Sequence, residues 1–215
     1  MTLAAHGDFV TNILSVYDRA TDDQRASGAR WYPLAGTIVE AIAASTGTDP
    51  VRVCLALSAL SPRNPWRWNV ADCYSFAEAR AQGRTMPRAT TFKRNQLRAW
   101  AVLGDGIMPW VGTAPKVRAF VAAIMGDSEA VVVDTWAYRI AVGTAPKRGS
   151  FAEKLYEPIA HAYNVAANLR GVEPRSMQAI TWLVAQTEGL ATHRTGRHDL
   201  TFKAGTPDFV RALLA

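Results

Sequence analysis

The stretch PWVGTAPKVRAFVAAIMGDSEAVVVDTWAYRIAVG, residues 109–143, decides how this chain is interpreted. It contains a glycine-containing turn, a helix that opens at Pro115, a stop at Gly126 and an apolar extended run that leads to Asp134. Apolar residues follow Pro115 and Asp134 at the spacing of a helix. The stretch therefore predicts two helices joined by an extended segment, with a carboxylate at the start of the second helix.

The rest of the 215-residue chain also has a helical pattern. An apolar stripe predicts a first helix around residues 9–17, and a second stripe predicts a helix over 31–44 that ends before Asp49 and Pro50. The run at 130–135 is the one β-branched stretch, too solitary for a sheet. The pattern therefore predicts an all-α fold. Further helices are predicted over 66–80, 90–103, 135–142, 155–169 and 174–187, and from Pro207.

Composition indicates an ordinary globular protein, with 49% hydrophobic and 20% charged residues. No linker rich in Pro, Gly and Ser separates autonomous domains, so residues 1–215 are predicted to form a single compact, two-lobed helical unit. The basic loop 189–206 is the best candidate for a segment that a ligand orders. Cys54 and Cys73 lack a CxxC spacing and are expected to be reduced core residues.

The sequence favours a cytoplasmic protein. The apolar run at 53–60 is far shorter than the roughly 20 residues that cross a bilayer, and the first ten residues lack the pattern of a signal peptide. The four histidines have no spacing to carboxylates that is typical of a metal site. We therefore expect neither a metal nor a cofactor.

The charge distribution favours a polyanionic partner. The net charge is +6, and the segment from Arg84 to Arg98 contains five cations and no acid. The late segment at 191–203 adds three cations and two histidines against one acid. Two solvated surfaces are the alternative interpretation, because charge alone does not specify nucleic acid.

Two residues of the central stretch are candidates for chemistry. Asp134 follows three valines and precedes Trp136 and Tyr138, where an acid could meet a developing positive charge; an ordinary N-cap is the alternative. Lys116 is expected in the first turn of a helix, an unfavourable place for a cation, although a surface lysine is the alternative. Gly112 could turn backbone N–H groups outward and form an anion site.

Together these residues resemble the helix-hairpin-helix (HhH-GPD) DNA glycosylase superfamily. That family has a hairpin of the form LPGVGxK followed, eighteen residues after its lysine, by VDTH, and Lys116 and Asp134 have the same separation. The arginine of VDTHxxR corresponds to Arg139 with a one-residue shift, and LSALSPRNPWRWNVADC resembles an early family helix. Departures are GTAP in place of GVGR and Trp136 in place of histidine. The resemblance implies a two-lobed helical bundle with a DNA cleft.

The resemblance also implies a mechanism and its residues. Asp134 would stabilise positive charge on the deoxyribose as a flipped base leaves, and Lys116 would attack C1′ if the enzyme is also a lyase. The implied partner is double-stranded DNA that carries a modified base. The base pocket would be formed by Trp136, Trp66, Asn64, Tyr138 and Gln178. DNA contacts would come from Arg63, Gly112, Arg88, Lys93, Arg94, Arg139, Arg194 and Arg197.

Two alternatives remain open at this point. The motifs KVRAF, VVVDTWA and QAITW resemble a phage-associated branch of the same superfamily, which implies a transferase that attaches an amino acid or amine to an activated 5-substituted pyrimidine in DNA. Such a protein would act in the cytoplasm of the host. The second alternative is a non-catalytic helical DNA-binding protein.

Overall fold

The computed structural model describes residues 3–104, 114–143, 153–189 and 206–214. Every regular element in these ranges is helical, so the predicted all-α class is confirmed. Gly112, Arg194, Arg197 and nearly all of the basic loop 189–206 lie outside the described residues. None of the helices described is long and apolar enough to span a membrane.

Ten α-helices and one 3₁₀ turn make up the described part of the chain. The helices are α1 (Leu3–Tyr17), α2 (Asp22–Thr46), α3 (Pro50–Leu60), α4 (Trp66–Ala81), α5 (Lys93–Leu103), α6 (Pro115–Ile124), α7 (Thr135–Val142), α8 (Tyr156–Arg170), α9 (Pro174–Thr187) and α10 (Asp208–Leu213), with the 3₁₀ turn at Glu153–Leu155. The bounds of α4, α5, α7, α8 and α9 lie within three residues of those predicted from the sequence. Proline starts and glycine stops therefore locate most helix ends.

Helix α2 differs from its prediction, because it begins at Asp22 and not near Trp31. A capping box explains the earlier start: the Thr21 N–H donates to Gln24 Oε1 at 2.9 Å, and the Gln24 N–H donates to Thr21 Oγ1 at 3.2 Å. The helix continues through Pro33, which has no N–H to donate. The sequence signal for this start, Thr21 followed three residues later by Gln24, was present but missed.

The chain divides into two compact units. Unit 1 comprises Met1–Pro33 and Arg118–His193, and unit 2 comprises Leu34–Val117 and Arg194–Ala215. The boundaries fall inside α2 and α6. Each unit has its own core and is described separately.

The core of unit 1 forms where α1 packs against α7, α8 and α9. The predicted apolar stripe of α1 is buried, and Ile13 is fully so. Opposite it, Ile159, Tyr163 and Met177 are also fully buried. The extended run 131–133 is buried beside them, which confirms the predicted lead into α7.

The core of unit 2 forms where α3 packs against α4 and α5. Every residue from Val53 to Leu60 is buried, and Asp49 caps α3 by accepting from the Arg52 N–H at 3.0 Å, as predicted. Cys54 and Cys73 are buried free thiols, also as predicted. Burial raises the pKa of the Cys54 thiol to about 12, so this cysteine stays a neutral core residue.

Gly28 marks a close approach of two helices in unit 1. A Cβ at this position would lie 2.4 Å from Ile180 Cγ1 and 2.8 Å from the Ile180 backbone, so α2 and α9 meet here without room for a methyl group. We predict that Gly28→Ala lowers the free energy of unfolding by about 1–3 kcal/mol through overpacking. Chemical denaturation would measure the change.

The matched control is Ser27→Ala, at the exposed neighbouring position of the same helix. This variant should stay within about 0.5 kcal/mol of the parent. Alanine has the higher helix propensity, so a Gly28→Ala protein more stable than the parent would contradict the proposed close approach.

Candidate functional site

The carboxylate of Asp134 caps α7. Its Oδ1 accepts hydrogen bonds from the backbone N–H groups of Trp136 and Ala137, both at 2.9 Å. These bonds satisfy two of the amides that a helix N-terminus leaves without partners. Asp134 Oδ2 accepts no hydrogen bond from any residue that the structure describes, and the side chain is partly exposed. One oxygen is therefore structural, and no described residue occupies the other.

The segment before Asp134 is fixed by a buried tyrosine. The Tyr156 hydroxyl donates to the carbonyl oxygen of Val131 at 3.1 Å and accepts from the N–H of Val133 at 3.4 Å. These two bonds satisfy backbone groups that an extended segment in a helical core cannot pair within a ladder. The apolar side chains and the tyrosine together set the position of the carboxylate.

Three buried tyrosines respond to the charge of Asp134. Burial raises the pKa of Tyr156 to about 12 and also raises the pKa values of Tyr32 and Tyr163, and the negative charge of Asp134 adds to the rise in each case. These phenols therefore stay neutral and act as hydrogen-bonding groups. The Tyr32 hydroxyl donates to Gln178 Oε1 at 2.7 Å, and the hydroxyls of Tyr163 and Thr181 lie 3.4 Å apart.

An aromatic cluster adjoins this polar network. The ring centroid of Trp31 lies 4.8 Å from that of Tyr32, 5.9 Å from that of Trp182 and 6.1 Å from that of Phe120. Trp31, Phe120 and Trp182 are only partly buried. Gln178 and Trp182, one turn apart on α9, thus contact Tyr32 and Trp31 respectively. Gln178 is among the residues that the sequence predicts for the base pocket, whereas Trp31, Tyr32 and Phe120 are not.

The other predicted residues of α7 lie close to Asp134 along the chain. Trp136 and Tyr138 are partly buried and pack against the core of unit 1. The Arg139 guanidinium lies over the Trp136 ring, 6.0 Å from its centroid. Arg139 Nε is buried and has no hydrogen-bond partner among the described residues, so this side chain is partly directed into the protein. Its role as a phosphate contact stays a prediction.

Lys116 belongs to unit 2, whereas Asp134 belongs to unit 1. Lys116 is the second residue of α6, directly after Pro115, and is partly buried. A cation in the first turn faces the positive end of the helix dipole, as the sequence analysis noted. The assignment of Lys116 as a nucleophile stays a prediction.

In unit 2, a buried carboxylate organises the turn at 61–65. Asp72 is 1% exposed, and its Oδ2 accepts from Asn64 Nδ2 at 2.9 Å and from the Thr90 N–H at 3.0 Å. The Thr91 hydroxyl donates to the carbonyl oxygen of Pro62 at 2.7 Å. The turn and the loop before α5 are therefore joined. Asn64 Oδ1 is buried without a partner in the described structure, and its role as a base reader stays a prediction.

A basic surface borders this turn. Arg63 is exposed with a left-handed φ of 56°, and its guanidinium lies 5.3 Å from the ring centroid of Phe92. Arg88, Lys93 and Arg94 are exposed as well. Four predicted DNA-contacting residues thus belong to one unit. Trp66, predicted for the base pocket, is the partly buried first residue of α4 in the same unit.

Asp72 and Phe92 are not among the site residues predicted from the sequence. An acid between the buried Ala71 and Cys73 is a recognisable signal, because a carboxylate inside a core requires hydrogen-bond partners. An apolar ring directly before Lys93 and Arg94 is a weaker signal. Within the described residues, no group of three or more His, Cys, Asp and Glu side chains could hold a metal ion.

The fold and these two sites define a class: an all-α protein with a helix-capping carboxylate in one unit and a basic, aromatic surface in the other. The sequence pattern of a family of unknown function, DUF7178, matches residues 3–189, and the chain belongs to that family. Comparison with curated proteins and with solved structures gave no match. The resemblance to helix-hairpin-helix glycosylases stays a prediction.

The capping role of Asp134 is tested by two substitutions. Asp134→Ala removes both hydrogen bonds to α7 and should lower the free energy of unfolding by about 0.5–2 kcal/mol. Asp134→Asn retains an oxygen that accepts the same bonds and should keep most of the stability. Chemical denaturation of both variants would measure this difference.

Asp8→Ala provides the control, because Asp8 is an exposed residue of α1. It should change the stability by less than about 0.5 kcal/mol. Equal stability of the Asp134→Ala variant and the parent would show that the cap contributes nothing.

Proposed function

We propose that this protein is a DNA glycosylase-like enzyme that acts on a flipped, modified base and uses Asp134 to assist cleavage of the N-glycosidic bond. The observation that carries the proposal is the geometry of Asp134. One oxygen is held by the amides of Trp136 and Ala137, and the other has no hydrogen bond from the residues described. A carboxylate fixed in this way is preorganised to face a developing positive charge.

The reaction needs such a group. When the C1′–N bond breaks, its electron pair leaves with the base, and positive charge develops on the deoxyribose. A fixed carboxylate stabilises this charge most strongly where protein excludes water. Water then adds to C1′ and transfers its proton to the carboxylate or to the solvent. The neutral phenols of Tyr32 and Tyr163 add no second negative charge near Asp134.

The surroundings of Asp134 also support a nucleobase as the substrate. Trp136 and Tyr138 follow it on α7, and the cluster of Trp31, Phe120 and Trp182 belongs to the same unit. Partly buried aromatic rings are the groups on which an extruded base stacks. The all-α fold and the Lys116-to-Asp134 spacing agree with the helix-hairpin-helix type, which we include in the proposal.

The proposed partner is double-stranded DNA, which the exposed cations of unit 2 would contact through its phosphates. Arg63, Arg88, Lys93 and Arg94 carry four positive charges, and phosphate contacts of this kind supply sequence-independent affinity. The proposal includes Lys116 as the nucleophile of a lyase step. In that case the neutral amine, in place of water, would attack C1′ as the base leaves with the electron pair of the glycosidic bond. Loss of the amine protons and opening of the C1′–O4′ bond, whose oxygen takes up a proton, would then give the Schiff base.

Asp134→Asn tests the proposed reaction. We expect the variant to bind DNA as the parent does and to release free base at least about 100-fold more slowly, because it lacks the negative charge but keeps the cap. The measurement is mass spectrometry of free bases and nucleosides after incubation with duplexes that carry a panel of altered pyrimidines and purines, with and without an amino-acid mixture.

The matched control is Asp8→Asn, the same chemical change at an exposed site of α1, which should leave the rate of base release unchanged. A mass gain on a nucleoside that stays in the DNA would show that the protein is the transferase and not the glycosylase. If no panel member reacts while salt-dependent binding persists, the protein is a non-catalytic DNA-binding protein.

The role of Lys116 is tested by trapping the Schiff base. With borohydride present, the parent should form a covalent adduct with DNA, and Lys116→Gln should form none, as seen by electrophoresis. Lys154→Gln removes an exposed lysine elsewhere and should trap as well as the parent. Base release by the parent without any trapped adduct would show that water, and not Lys116, attacks C1′.

A further inference from the structure

We propose that the surface formed by Arg63, Phe92, Lys93 and Arg94 binds single-stranded nucleic acid and stacks an unpaired base on the Phe92 ring. The inference rests on the proposed function only in taking nucleic acid as the partner. It adds a base-stacking residue and a strand preference that are independent of Asp134.

Phe92 is more exposed than the other aromatic residues that the structure describes. It is 52% exposed and occupies the N-cap position of α5, where its side chain makes no capping hydrogen bond. Phenylalanine is absent from the residue types that N-caps favour. Its ring contacts the Arg63 guanidinium at 5.3 Å, which leaves an aromatic and cationic pair at the surface.

The loop that carries Phe92 is held in place by hydrogen bonds. Gln96 Nε2 donates to the carbonyl oxygens of Ala89 and Thr91, at 3.0 and 2.7 Å. Asp72 binds the Thr90 N–H, and Thr91 binds Pro62, so the loop is also tied to the turn that carries Arg63. The backbone that carries the ring is therefore fixed in advance, which reduces the entropy lost on binding.

Three features that lower stability meet on this surface. Arg63 has a left-handed backbone, which non-glycine residues adopt at an energetic cost. Lys93 and Arg94 lie in the first turn of α5, next to the positive end of its dipole. The ring of Phe92 is half-exposed, so the protein lacks the stabilisation that full burial of this apolar ring would give. Local features that break structural rules together are typical of functional surfaces.

The charge and the ring together favour one class of partner. From Arg84 to Gly104 the sequence contains no acid, so no side chain of this segment repels the phosphates of a polyanion. An acidic peptide would pair with the cations but carries no base that stacks on the ring. In a duplex, the faces of the paired bases are already stacked on their neighbours and cannot stack on Phe92. Aromatic rings beside a basic track are the usual means of binding single strands.

The test compares Phe92→Ala with Leu97→Ala by fluorescence anisotropy, using a labelled oligothymidine and a duplex of the same length. Leu97 is 53% exposed on the same helix, so it matches the exposure and apolar character of Phe92 without its ring. We expect Phe92→Ala to weaken single-strand binding by about 5- to 100-fold, Phe92→Trp to retain it, and Leu97→Ala to leave it unchanged. Replacing Lys93 and Arg94 with Gln should reduce its salt dependence.

Equal single-strand affinities of the Phe92→Ala and Leu97→Ala proteins would overturn the proposal. So would an equal loss of duplex binding by Phe92→Ala, or displacement of the oligonucleotide by polyglutamate as effectively as by unlabelled oligothymidine. Because oligothymidine carries no modified base, these results do not depend on base release. If the protein released no base, the proposed single-strand binding could still be correct. If Phe92 did not bind single strands, the proposed glycosylase could still be correct.

Discussion

Two backbone N–H groups at the start of α7 donate to one oxygen of Asp134, and the account of unit 1 depends on this interaction. Buried valines and the hydroxyl of Tyr156 bring the carboxylate to that helix end. The cap uses a single oxygen, so a structural role and a chemical role do not compete for the same atom. The charge also acts beyond the cap, because it helps to keep Tyr32 and Tyr163 neutral.

The proposed catalytic residues and the proposed nucleic-acid-binding surface belong largely to different units. Unit 1 holds the acid and a partly buried aromatic cluster, which suit chemistry on a base. Unit 2 holds an exposed basic surface, where Asp72 fixes the turn of Arg63 and the loop of Phe92. A hydrogen-bonded carboxylate thus sets the geometry in each unit, the partly exposed Asp134 in unit 1 and the buried Asp72 in unit 2, although only Asp134 is proposed to react. The acid and the surface can therefore be altered separately.

Local rules made much of this structure predictable. Pro50, Pro115 and Pro174 start helices where expected, and Asp134 caps α7 because its neighbours in sequence are enough to define an N-cap. Contacts between distant segments were not predictable. The bond from Tyr32 to Gln178 joins residues 146 positions apart, and no local pattern encodes such a pairing.

If the carboxylate of Asp134 stabilises a positively charged sugar, as proposed, it should also bind a charged mimic of that sugar, and this test needs no knowledge of the target base. The measurement compares affinities for two duplexes, one with a cationic pyrrolidine abasic nucleotide and one with its neutral tetrahydrofuran counterpart. We expect the parent to bind the cationic duplex at least about 100-fold more tightly and Asp134→Asn to abolish this preference. Equal affinity of the parent for both duplexes would contradict the proposed role of Asp134.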